Sequence, residues 1–252
     1  PSPAVGTRIQ RLEPSELEAF APAYDALARQ SAGWVARGDR WWWHRRRMLD
    51  QNTVRNYLYA LEVDGRRGYV ALDAASSDRE VFDLVLTDLG AESSEVLHAI
   101  GGLIRRFGAV ADRVTAHQPP WVLEALTDHG HRWTAAASQG WMLRLVDAPA
   151  AIRARGWAPV PATVALDVVD PHLRHNHGPF VLTAADGRAH LEPGGPGTWR
   201  FPVTALAAWF SGWRSASQLA WLGEIEGDGS PEDLAVLDAL TAGPEPAIPE
   251  FY

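Results

Sequence analysis

The stretch DPHLRHNHGP puts His172, His175 and His177 within six positions. In a strand, His175 and His177 would share one face, and zinc is often held by such pairs. The surrounding residues argue otherwise. The segment is rich in turn formers, no Asp, Glu or His at fixed spacing completes a ligand set, and Asn176-His177-Gly178 is what a hairpin turn uses. No metal is therefore expected. A second mixture, RWWWHRRR, interleaves aromatics with arginines as a stacking surface for nucleic acid would. An amphipathic helix with Trp inward and Arg outward explains it equally, with one Trp lining a substrate or touching a subunit as the functional alternative. The third is the closing GPEPAIPEFY. A Pro-rich end carrying an acid and two aromatics differs from the polar, mobile termini most chains have, which makes Glu250, Phe251 and Tyr252 candidates for a site.

Other chemistries are removed by what the chain lacks. It has 252 residues and no Cys, so disulfides, thiolate nucleophiles and Cys-ligated metals are excluded, in keeping with a reducing cytoplasm. Its 23 basic side chains besides His are all Arg, which excludes a lysine Schiff base and a Walker lysine. No Gly-x-Ser-x-Gly elbow occurs. The net charge of −8 disfavours a polyanionic partner and suits a cationic one. Nucleic acid is not expected. Neither is a membrane, because no apolar run is long enough to span one.

The elements that must position these residues read as α+β. Leu17, Phe20, Tyr24 and Leu27 recur at helical spacing, with Ser15 as N-cap and Gly33 beyond the end. DRWWWHRRRML is a second helix. NYLYALEVDGRRGYVAL is a hairpin closed by Asp64-Gly65. REVFDLVLTDL is a strand, SSEVLHAIGGLIRRFGAV an amphipathic helix, DRVTAHQPP a short strand, and WVLEALTDHG a helix stopped by Gly130. GWMLRLVD reads as a strand and APAAIRARGW as a helix. A run of short strands follows from residue 164 to 195, then three helices. The last helix has Ser230 as cap, Pro231 in its first turn, and Gly243-Pro244 at its end. A boundary is expected near residue 140, giving units 1–140 and 141–252.

A phosphate-cradling loop of the kind Arg/Gln-x-x-Gly-x-Gly/Ala should open a helix. GRRGYVAL continues into a strand and RRFGAV lies at a helix end, so neither serves, and no acetyl-CoA site is expected in this chain.

Several stretches together resemble one family, the Eis-like (enhanced intracellular survival) N-acetyltransferases of the GNAT type. GWVARGDRWWWHRRRM is similar to the Arg-and-Trp stretch of their central lobe. GWMLRLVDAPAAIRARGW, LDVVDPHLRHNHGPFVL, LAAWFSGWRSASQLAWLGEI and LDALTAGPEPAIPEFY resemble, in order, their connecting strand and helix, their Asp-to-Asn-x-Gly hairpin, the segment before their last helix, and their closing segment. The resemblance implies a degenerate GNAT-like lobe followed by a sterol-carrier-protein-like lobe. Acetyl-CoA would be the co-substrate, bound by a further lobe outside this chain that also supplies a general-acid Tyr. The opening on Pro1 rather than Met agrees with a fragment or processed product. The resemblance further implies that the main-chain carboxylate of Tyr252 is the general base, with Glu250 and Phe251 binding substrate. The tail departs from the family in one respect, since Phe251 stands between the acid and the last residue. The implied function is acetyl transfer to amines of aminoglycoside-like or lysine-containing substrates in the cytoplasm, by a trimer or hexamer, with this chain inactive alone. The alternatives are a non-catalytic small-molecule-binding module and an assembly module.

Overall fold

The computed structural model describes residues 6–51, 56–76, 82–127, 133–135 and 140–250. The chain divides into two compact units, Pro1–Ser138 with Ala247–Tyr252, and Gln139–Pro246. The closing residues thus belong to the first unit, although the sequence runs through the second to reach them.

The first unit is a five-stranded sheet in the order β1-β2-β3-β4-β5: Arg8–Arg11, Asn56–Val63, Arg66–Ser76, Phe82–Ala91 and Ala111–Ala116. The first four strands are antiparallel, and β5 runs parallel to β4 after a crossover through helix α3, Ser94–Arg106. The hairpin β2–β3 turns where expected: Asp64 and Gly65 both have positive φ (47° and 77°), as a primed turn requires. Along β3, Val70 and Leu72 face α3 and the helix Pro120–Leu126 (α4), whereas Tyr69 and Ala71 face the opposite side. That second side is covered by the helices α1 (Ala21–Ala28) and α2 (Asp39–Gln51). The alternation of a strand therefore fills two apolar layers, one on each face of the sheet.

Two expectations change here. The first helix begins as a 3-10 segment, Pro14–Phe20, and its start is set by the Glu16 carboxylate accepting from the Glu13 amide at 3.0 Å rather than by Ser15. α1 starts afresh at Ala21, with Pro22 in its first turn, where a missing N–H costs nothing. Strand β1 was not foreseen. α4 ends at Leu126, and Gly130 lies outside the described residues.

The second unit is a sheet in the order β10-β9-β6-β7-β8: Glu226–Gly227, Trp199–Pro202, Ala162–Val169, Gly178–Ala185 and Arg188–Pro193. Its inward residues (Val164, Leu166, Val168, Phe180, Leu182, Phe201) meet α5 (Ala148–Ala154), α6 (Val203–Ser211), α7 (Ala216–Trp221) and α8 (Pro231–Thr241). α8 is capped as read: Ser230 Oγ accepts from the Asp233 amide at 3.2 Å, and the Asp233 carboxylate accepts from the Ser230 amide at 3.1 Å. The expected strand at 140–147 is an extended segment without a ladder partner among the described residues, and Met142 on it is 99% exposed. Side chains hold it instead, as shown below.

Candidate functional site

Arg37 lies between α1 and α2, and its side chain is only 2% exposed. A guanidinium out of water needs an acceptor for each of its five N–H groups and counter-charge nearby. Nη1 donates to the Tyr69 hydroxyl at 2.8 Å and to Asp88 Oδ2 at 3.1 Å, and Nη2 donates to Asp88 Oδ1 at 2.9 Å. Nε donates to Glu250 Oε1 at 2.9 Å, and Nη2 lies 2.7 Å from the same oxygen. The flat face of the ion is sandwiched as well, 3.5 Å from the Tyr24 ring centroid and 3.6 Å from that of Trp41. Trp42 stands edge-on to both rings. The aromatic run on α2 is therefore a box for the protein's own arginine.

Backbone geometry puts the carboxylates there. In β4, Leu86 pairs with Leu72 and Asp88 with Ala71, so Thr87 is an extra, bulged residue. The bulge shifts the alternation and turns Asp88, 4% exposed, toward Tyr69. It also frees the Thr87 carbonyl, which accepts from Arg45 Nη2. Arg45 Nε lies 3.4 Å from Asp88. Two cations thus face two carboxylates, and the cluster is neutral overall. Burial raises the Tyr24 hydroxyl far above its ordinary pKa; Arg37 opposes this, and the hydrogen bond to Glu250 adds to it. Burial likewise raises Tyr69. Both hydroxyls stay protonated near neutral pH, so they act as hydrogen-bonding groups.

Of the three tail residues, Glu250 is placed here: its carboxylate lies 2.8 Å from the Tyr24 hydroxyl as well as on Arg37. Sequence reasoning assigned it to a cationic substrate, and in the structure it meets an internal cation. Phe251 and Tyr252 lie outside the described residues. Arg37 and Asp88 were missed. A signal existed in LVLTDLG, where a lone acid interrupts an apolar strand and so requires a buried partner.

The histidines of DPHLRHNHGP do not converge. His175 Nε2 is 2.7 Å from the Val146 carbonyl, and His177 Nδ1 accepts from the Asp170 amide at 3.3 Å. The polar centre of this hairpin is Asn176, fully buried, whose Oδ1 accepts from the Ala148 amide at 2.8 Å. Its Nδ2 donates to the carbonyls of Leu145 and Val146 and to Asp170. Asp170 also takes Arg144 at 2.8 Å and the amides of His172 and Leu173. Burial would raise the Asp170 pKa, but these bonds outweigh it and hold the carboxyl well below its usual range. This cluster secures the extended segment 140–147. Among the described residues, no three His, Cys, Asp or Glu groups stand together as metal ligands, and no helix is long and apolar enough to cross a membrane.

A helix start that follows a strand is the general place for an anion, and here it is the β4–α3 junction, Gly90 to Glu95. There Ser93 Oγ accepts from the Val96 amide, and the Glu92 carboxylate accepts from the Arg67 amide at 2.9 Å. Glu95 follows, its carboxyl lowered by its own amide and by Ser93 and Ser94. Two acids, Glu92 and Glu95, thus stand at the start of α3, with the same sign of charge as a phosphate. The interior of the second unit is occupied by Trp157 and Trp209, stacked with centroids 5.3 Å apart, and by Phe201.

Comparison with known proteins agrees with this architecture. Residues 33–145 match the family model of the acetyltransferase (GNAT) domain, and residues 148–249 match that of the sterol carrier protein domain. The chain therefore carries a GNAT-type fold followed by a sterol-carrier-protein-like one. Among solved structures it is similar to a GCN5-related N-acetyltransferase from Anabaena variabilis (TM-score 0.84, 23% identity, 100% of this chain and 65% of that one). Another GCN5-related N-acetyltransferase, from Kribbella flavida, gives 0.77 at 25% identity over 98% of this chain and 60% of that one. Eis1 from Mycobacterium abscessus gives 0.71 at 22% identity, over 100% and 64%. The chain thus spans less than two thirds of the length of each. No curated protein matches.

Proposed function

We propose that this chain forms the central and C-terminal lobes of an Eis-like N-acetyltransferase, with acetyl-CoA held by a lobe outside it. The observation that carries this reading is the β4–α3 junction. The chain has a β4–α3–β5 crossover, and the start of α3 carries the acids Glu92 and Glu95, where a phosphate would need donors and not charge of its own sign. Acetyl-CoA supplies the activated acyl group. This chain would contribute the proton acceptor and oligomer contacts. An amine arrives at neutral pH as an ammonium and is no nucleophile until it loses a proton. The main-chain carboxylate of Tyr252 would take that proton, and Phe251 would line the approach of an aminoglycoside-like or lysine-containing amine. The net charge of −8 favours such a cation. The setting would be cytoplasmic, as a trimer or hexamer.

The test offers acetyl-CoA and a panel of aminoglycosides and lysine peptides to the full-length protein and measures released thiol. Acetyl transfer that is lost on deleting Tyr252 is the expected result, and calorimetry should show no acetyl-CoA binding to this chain alone. Micromolar binding to the isolated chain would overturn the reading.

A further inference from the structure

We infer that Arg37 is the positioning residue of the closing segment, fastening it to the first unit through Glu250. The assignment deepens the proposed function and rests on it only for the catalytic consequence.

Three contacts converge on residues 247–250. The Ala247 amide donates to the Ala32 carbonyl at 3.0 Å. Gly33, at φ +99°, lets the tail approach so closely that a Cβ there would sit 2.6 Å from the Ala247 carbonyl oxygen. Arg37 and Tyr24 then hold the Glu250 carboxylate. Arg37 is also held by contacts that do not involve the tail. Asp88 binds it bidentately, Tyr69 takes a third bond, and the rings of Tyr24 and Trp41 define its plane. A guanidinium so constrained presents its remaining N–H edge in one direction, and the carboxylate that meets it inherits that register. Tyr252 is two residues further on, a reach of about 7 Å at full extension. Wherever its carboxylate acts, it acts from this anchor. Glu250 is then an attachment point for the tail, and its charge is spent on Arg37 rather than on a substrate.

Hydrogen exchange on the chain as it stands reads the anchor directly. In Glu250→Gln, and in Arg37→Gln, the Ala247 amide should exchange at least about tenfold faster than in the parent, since a bond held by a docked segment opens with that segment. The Ala151 amide in α5, bonded to Asp147, serves as an internal control and should not change. Unaltered protection of Ala247 in Glu250→Gln overturns the proposal, whatever Arg37→Gln does to folding. In the acetyl-transferring protein, Glu250→Gln should lower kcat at least fivefold while KM for the amine stays within about twofold. A raised KM at constant kcat would instead place Glu250 on the substrate and overturn the positioning role. Deleting Tyr252 without effect on kcat would sink the general-base reading alone, because the exchange result does not depend on it.

Discussion

The amide of Ala148, at the start of α5, donates to the side chain of Asn176 at 2.8 Å, although the two are 28 positions apart in the sequence. Helix starts leave amides without partners, and α5 covers them locally with Asp147, whose carboxylate accepts from Ala150 at 2.8 Å. Asn176 takes a further one from across the unit and also binds two carbonyls of the strap before the helix. Replacing it with Ala would leave the buried Ala148 amide and Leu145 carbonyl without these partners. Asn176→Ala should cost about 2–4 kcal/mol in denaturant unfolding. A loss below about 1 kcal/mol would mean that water reaches this hairpin.

Asp170 gives the second unit an acid-dependent stability. Its carboxyl sits lower in the folded state than its ordinary 3.8, so folded protein holds this proton less readily than unfolded protein does. The stabilisation is fully present well above 3.8 and drains away as pH falls through 3.8 toward the folded value. Melting curves between pH 5 and pH 2 should therefore fall less steeply in Asp170→Asn than in the parent. Parallel curves would rule out Asp170 as a source of the dependence.

Neighbouring glycines of α3 should respond in opposite directions. A Cβ on Gly101 would run into the carbonyl of Leu126, where α3 crosses α4, whereas Gly102 would meet only the tip of Arg105 at 3.7 Å. Gly102→Ala is expected to stabilise by about 0.5–1 kcal/mol through lost backbone freedom in the unfolded chain. Gly101→Ala should destabilise, by about 1–3 kcal/mol, because helix and carbonyl must move apart. Thermal melts of the two variants decide the matter, and equal shifts would contradict the close crossing.

Gly33→Ala tests the tail from its other side. The positive φ and the Ala247 carbonyl both oppose a side chain there. The variant should lose about 1–3 kcal/mol and release residues 247–250 to a protease that leaves the parent intact. A variant as resistant as the parent would show that Gly33 does not set the approach.

Local signals in the sequence were good guides to local structure. Asp64-Gly65 gave the hairpin, Ser230 to Asp233 gave the start of α8, and the spacing of Val96, Leu97, Ile100 and Leu103 gave α3 with its buried face. The strand assigned to 140–147 misled because apolar alternation describes a strap as well as a ladder. What separates them is whether the backbone bonds to a neighbour, and here Asn176 supplies the partner. The Arg37 cluster was the least legible part. Its partners lie 32, 51 and 213 residues away, so no window contains them. Only the acid inside β4 and the Trp-rich face of α2 hinted at a buried cation.

The return of residues 247–250 to the first unit has a consequence for biosynthesis. Glu250 is translated 213 residues after Arg37, roughly 10–40 s later at ordinary elongation rates. Through that interval the box of Tyr24, Trp41, Tyr69 and Asp88 can assemble, yet two contacts of Arg37 wait for Glu250. The second unit, contained between Gln139 and Pro246, has all of its own residues before then. Of these two units, the one begun first is completed last.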